Sequence, residues 1–148
     1  MRINTYTVQL VKERGGLYDL ATKIIRSPYD GVDIVNEVLH LDRQPNEHFV
    51  IATLTTKNAI AGLHVIHKGT LNASIVHPRE VFAQAILNNA ASIICFHNHP
   101  SGDPSPSRED IEITKRLKDC GELLGIEVMD HLIIGDGKFI SLKEKGYI

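Results

Sequence analysis

His97 and His99 stand one residue apart, and Asp110 follows eleven residues after the second of them. Two imidazoles and one carboxylate are three metal ligands with a fourth position left for solvent. That is the layout of a hydrolytic zinc centre rather than a closed structural one. Each residue type has a reason to be where it is. The apolar run at 91–96 (ASIICF) reads as a buried strand ending at the histidines. Residues two apart on a strand share a face. His97 and His99 can therefore aim at one ion, at about 2.0–2.1 Å from each nitrogen. The intervening loop carries Pro100, Gly102, Pro104 and Pro106, a stiff connection that keeps the ligands in place. A helical pattern begins near Ser107, with an apolar stripe at Ile113, Leu117, Cys120 and Leu124. Asp110 lies three residues before Ile113 and continues that stripe, so it faces inward. An inward carboxylate is costly unless it is paired or bound to a metal.

A plainer reading exists for part of this pattern. Ser107, Arg108, Glu109 and Asp110 also resemble a helix capping box with Asp in place of the usual Glu. That accounts for Ser107 and Asp110 without a metal, but not for two histidines at the end of a hydrophobic strand. The two roles are compatible. Cys95 lies close by, yet its strand alternation and apolar neighbours make it core rather than ligand. His131 sits in an otherwise apolar stretch and has two readings, a group supporting the metal site or a satisfied core histidine. His64 and His67, three apart on a strand pattern, face opposite ways and make a poor chelating pair. His77 precedes Pro78 and marks a helix entry, while His40 and His48 read as surface or boundary residues.

The elements that must position these residues read as an α/β arrangement. Residues 3–11 alternate weakly and suggest an edge strand, broken by Arg14, Gly15 and Gly16. Residues 33–41 read as a helix with Asp33 or Asp30 as its cap. Strands are expected at 48–56 and 60–67 around a turn at 57–59, and a short one at 74–76. Pro78 fits the first position of a helix running to about Asn89, with Val81, Ala85 and Ile86 inward. After the metal strand and the long helix, Gly125 stops the helix. Residues 127–134 and 138–142 then form a hairpin around Gly135, Asp136 and Gly137.

Composition agrees with one compact enzyme domain. The chain has 148 residues and a formal net charge of −2, so no overall positive field draws it to nucleic acid. No apolar run is long enough to span a membrane, and residues 1–6 lack the apolar centre of a signal peptide, so the cytoplasm is the expected compartment. Two cysteines, Cys95 and Cys120, read as buried free thiols. The densest basic group, Arg108, Lys115, Arg116 and Lys118, shares its helix with Glu109 and Glu112 and reads as a solvated face.

The pattern H-x-H, seven residues, S, two residues, D resembles the JAMM (MPN+) metalloprotease motif. The fuller string HNHPSGDPSPSRED is similar to the bacterial RadC-type branch. Glu47-His48-Phe49, Gly69-Thr70, His77-Pro78-Arg79-Glu80, Asp130-His131 and Ile133-Ile134-Gly135-Asp136 also resemble that domain. The resemblance covers roughly residues 40–148. It implies one RadC-type MPN/JAB domain over 1–148, with 1–35 a poorly matched N-terminal extension. It also implies a mixed β-sheet packed with helices, in a cytidine-deaminase-like layered α/β architecture.

By position, the resemblance makes His97, His99 and Asp110 the ligands of one Zn²⁺. It makes Glu47 the base that takes a proton from zinc-bound water and delivers it to the leaving amine, and Ser107 a stabiliser of the oxyanion. The sequence by itself would leave Glu47 a surface residue. The implied activity is metallopeptidase or isopeptidase hydrolysis of a peptide or protein that the sequence does not name. A nucleobase deaminase would need H-x-E and P-C-x-x-C, and neither is present. The alternative is a DNA-repair-associated, nucleic-acid-binding or nuclease role. In longer members a helix-hairpin-helix domain supplies that contact, and this chain is expected to be too short for one. A third reading, a metal module without catalysis, conflicts with the intact ligand set and with Glu47. Oligomeric state is not legible.

Overall fold

A computed structural model describes residues 1–70 and 76–148; the strand expected at 74–76 falls largely outside them. The elements in chain order are α1 (Pro28–Leu39), β1 (His48–Leu54), β2 (Ile60–Lys68), α2 (Pro78–Leu87), β3 (Ser92–Asn98), α3 (Arg108–Leu124), β4 (Glu127–Ile134) and β5 (Phe139–Ser141), with a 3₁₀ turn at Leu41–Arg43. The strands form one mixed sheet in the order β2-β1-β3-β4-β5. β3 and β4 are parallel and the other neighbours antiparallel. The expected α/β class, a mixed sheet packed with helices, is what the chain adopts.

Strand alternation divides the core in two. Phe49, Ile51, Ile93 and Cys95 pack with Val81, Phe82 and Ala85 of α2 and Ile113 and Leu117 of α3. Val50, Ala52, Leu54, Ile94 and Phe96 pack on the other face with Ile34 and Val35 of α1. β3 is buried at all seven positions, as a central strand covered by helices on both faces must be. Cys95 and Cys120 are free thiols, Cys95 in the core as expected.

One irregularity decides what faces what. Ile93 pairs with Val128 but Ile94 pairs with Asp130, so Met129 is an extra residue in β4. A bulge of this kind exchanges the faces of every later side chain. Beyond it, His131 and Ile133 lie beside Cys95 and His97, on the α3 side of the sheet. Without the extra residue His131 would face α1.

Several expectations are corrected. Residues 3–11 form no strand: residues 1–20 carry no regular structure, and Ile3, Tyr6 and Val8 are exposed. Alternation alone makes no strand without a neighbour to bond. Asp33 does not cap α1, and Asp30 does so only as the third-residue half of a capping box. The N-cap is Ser27, and Asp30, in the first turn, accepts from the backbone N–H groups of Arg26 and Ser27 at 2.8 and 3.0 Å. Ile86 is exposed, because Pro78, Val81, Phe82 and Ala85 fill the inward stripe of α2. Leu124 is exposed as well. The inward position one turn earlier is taken by Gly121, and the chain leaves the helix at Gly125, with φ +73°.

Candidate metal centre

The centre sits where β3 ends. His97 is the last residue but one of that buried strand, 1% exposed, with its ring stacked over Phe49 at 6.4 Å. The ladder to β4 continues one residue further, since His99 N–H donates to the Ile134 carbonyl at 2.8 Å. His99 is thereby held on the same face as His97. The chain then turns: Gly102 N–H donates to the His99 carbonyl at 2.9 Å, and Asp136 N–H to the Gly102 carbonyl at 2.8 Å. This seats the proline loop directly on the β4–β5 turn. The approach is so close that a Cβ on Gly135 would lie 2.3 Å from the Gly102 carbonyl oxygen.

The loop delivers α3 with Ser107 at its N-cap. Ser107 Oγ accepts from Asp110 N–H at 3.0 Å, and Asp110 Oδ2 accepts from Ser107 N–H at 2.8 Å. The capping box and the inward carboxylate are thus one feature. The same carboxylate turns both oxygens to the histidines: Oδ1 is 3.2 Å from His97 Nε2, and Oδ2 is 3.2 Å from His99 Nε2. The two Nε2 atoms are 2.9 Å apart. His97, His99 and Asp110 are the group of metal-ligating type that the fold assembles among the described residues.

Hydrogen-bond bookkeeping fixes which ring nitrogens carry protons when the rings are neutral. Thr114 donates its only hydroxyl proton to the Asp110 carbonyl at 2.6 Å. Its 2.5 Å contact with His131 Nδ1 must then be a bond donated by the ring. His131 Nε2 is left bare and accepts from His97 Nδ1–H at 2.7 Å. His97 therefore presents an unprotonated Nε2. His99 donates Nδ1–H to the Asp103 carbonyl at 2.8 Å, so its Nε2 is bare too. Two nitrogen lone pairs and a carboxylate converge on one point. Their mutual repulsion is relieved only by a positive charge among them, and this donor set suits a divalent metal ion.

The titration behaviour follows. Burial pushes the Asp110 carboxyl up, but its bonds to His97, His99 and the Ser107 N–H outweigh that and hold it well below the usual carboxylate range. The Asp110 carboxylate, against the opposing effect of burial, raises His99, helped by the Asp103 carbonyl and by the charge of Glu47. Burial drives His131 well below an ordinary histidine, and His97 adds to the effect, so it is a neutral acceptor.

Glu47 precedes β1 by one residue and Phe49 by two, which puts it on the face that carries Phe49 and His97. It is half-buried, and its charge reaches His99. Its carbonyl accepts from Gly69 N–H at 2.7 Å. The fold thus brings Glu47, His97, His99, Ser107 and Asp110 to one end of the sheet. Of the two readings of His131, the supporting one matches its bond to His97. Sequence reasoning missed Thr114 and Asn98. The signals were a polar residue one turn after Asp110 on the inward stripe, and an amide inside a buried strand. The other histidines stand apart: His64 bonds Gln84 and Asn88, His77 caps α2, and His40 ends α1.

A family model described as a RadC-like JAB domain matches residues 25–147. The chain is 62% identical over 125 residues to a UPF0758 protein of Geobacillus sp. (strain WCH70), covering 84% of this chain and 54% of that one. It is 59% identical over 125 residues to the UPF0758 protein YsxA of Bacillus subtilis, covering 84% of this chain and 53% of that one. It thus spans about half the length of the curated relatives it matches.

Proposed function

The chain belongs to the RadC-like JAB domain family, and on that premise we propose that it is a zinc-dependent hydrolase that cleaves an amide bond, peptide or isopeptide, in an unidentified peptide or protein. The observation that carries the reading is the convergence of the His97 and His99 Nε2 atoms and the Asp110 carboxylate, each side chain oriented by its own hydrogen bonds. A zinc ion held by His97, His99 and Asp110 would supply a Lewis acid and lower the pKa of water to about 7. Glu47, on the same face, takes the proton from the attacking water and hands it to the leaving amine. Ser107 Oγ already accepts from Asp110 N–H, so its hydroxyl proton remains to donate to the oxyanion of the tetrahedral intermediate. Phe49 and the buried end of β3 close the floor of the site against water.

The test is a proteomic comparison of peptides released by the active protein and by Glu47→Gln in the same extract. New termini that depend on Glu47 are expected; identical peptide sets would overturn the reading. A role on nucleic acid is a different outcome, recognised by salt-sensitive DNA affinity much tighter than micromolar. No residue of the site favours it, and Arg108, at the head of the one dense basic group, is engaged by Glu112 at 3.1 Å on an exposed helix face.

A further inference from the structure

We infer that Asn98, the residue between the two histidines, is a positioning residue that sets the reach of Glu47 into the site. The inference rests on the proposed roles of the metal group and of Glu47. Asn98 is 2% exposed and points to the sheet face opposite the histidines, so it touches neither the candidate ligands nor a substrate above them. Its side-chain amide runs along the end of β1 instead. Oδ1 accepts from His48 N–H at 2.8 Å, and Nδ2 donates to the Asn46 carbonyl at 3.0 Å, with the Gln44 carbonyl at 3.4 Å. The β1–β3 ladder stops at the pair Phe49 and His97, and from there the amide takes the place of backbone bonding.

Glu47 is the residue between those two anchored backbone groups. Its own carbonyl is fixed from the β2 side by Gly69 N–H at 2.7 Å. Three bonds on three consecutive residues leave the backbone of Glu47 little freedom. Its carboxylate must come from a loop just before a strand, where a displacement of about 1 Å can cost about a hundredfold in rate. The histidines and the glutamate are thus tied through one side chain: the strand that carries the former holds the loop that carries the latter. Two hydrogen bonds to backbone also explain why an amide occupies a position in the fully buried strand β3.

The experiment uses the full chain loaded with Co²⁺ as the probe, whose visible bands are followed from pH 5 to 9. Wild type, Asn98→Ala, Glu47→Gln and the double variant are compared at equal cobalt content. The expected result is that Asn98→Ala moves the titration midpoint of the bands in the same direction as Glu47→Gln and at least half as far. In the Glu47→Gln background it moves nothing further. An Asn98→Ala profile identical to wild type, or a shift that adds in full to that of Glu47→Gln, overturns the inference. If Asn98→Ala does not fold, Asn98→Asp decides: it has the same shape and keeps the acceptor for His48 N–H but loses the donor to Asn46, and a wild-type profile there overturns the inference equally. Failure of the underlying reading looks different. Wild type would then bind no cobalt, or Glu47→Gln would move no midpoint.

Discussion

His131 Nε2 lies 2.7 Å from His97 Nδ1, both rings buried, and the line continues through Thr114 to the backbone of Asp110. Two of the three candidate ligands are therefore joined beneath the site by a path of hydrogen bonds. The path has one polarity, set by the Asp110 carbonyl, which can only accept and so takes the one proton of the threonine hydroxyl. It keeps the Nε2 of His97 bare and its ring still.

Breaking that path should weaken the metal without removing any ligand. Thr114→Val and His131→Phe are expected to lower zinc affinity by about 10–100-fold, the usual cost of losing a group that orients a ligand. Competition against a chromophoric chelator measures this. Affinities within twofold of wild type in both variants would show that the path has no bearing on the ion.

Glu47 should be separable from metal binding. Glu47→Gln should keep one zinc per chain and lower hydrolysis by about 10²–10⁴-fold, the range for a general base. Full activity at full metal content would remove Glu47 from the chemistry.

Acidity should act on the metal-free protein with a stability maximum near pH 6.5. His99 has a raised pKa, so the stability it contributes is complete below about 6.5, the ordinary histidine value, and is lost as pH rises through its folded value. His131 has a lowered pKa, so stability is lost as pH falls below about 6.5, when the unfolded chain takes up a proton that the buried ring does not. The lowered carboxyl of Asp110 adds a further loss below about pH 4. Zinc bound to His99 would take the place of its proton, so the fall on the alkaline side should vanish with the ion bound. Thermal midpoints between pH 5 and 9, with and without zinc, read this directly. An alkaline fall that zinc leaves intact would contradict the arrangement.

The seat of the proline loop can be tested away from the ligands. Gly135→Ala places a methyl 2.3 Å from the Gly102 carbonyl oxygen and 2.8 Å from Pro104 Cδ, so the loop must lift. A destabilisation of about 1–3 kcal/mol is expected from the overpacking, with weaker zinc binding because His99 and Asp103 move together. Denaturant unfolding and a zinc titration on the same variant check both. Unchanged zinc affinity would mean that the loop and the turn are not coupled.

Much of this arrangement can be read from the sequence, and the reasons differ by residue. His97, His99 and Asp110 are legible because strand and helix periods put them on one side, and those periods held. The cap at Ser107 and the β4–β5 hairpin rest on local chemistry that tertiary packing did not override. The side on which His131 lies was not legible. It depends on the single extra residue at Met129, and bulges leave little trace in an apolar run. Glu47 needed the family resemblance, because a carboxylate just ahead of a strand reads from the sequence as an ordinary surface residue. The strand expected at 3–11 and the inward positions given to Ile86 and Leu124 went wrong because alternation and stripes say which side chains can be buried, not whether a neighbour is there to bury them.

The central claim is that one divalent ion is bound by His97, His99 and Asp110. Elemental analysis of protein purified without added zinc, beside His97→Ala and Asp110→Ala, tests it most directly. About one zinc per folded chain in wild type and little in either variant is predicted. Full metal content in both variants, or none in folded wild type even after incubation with zinc, would contradict it.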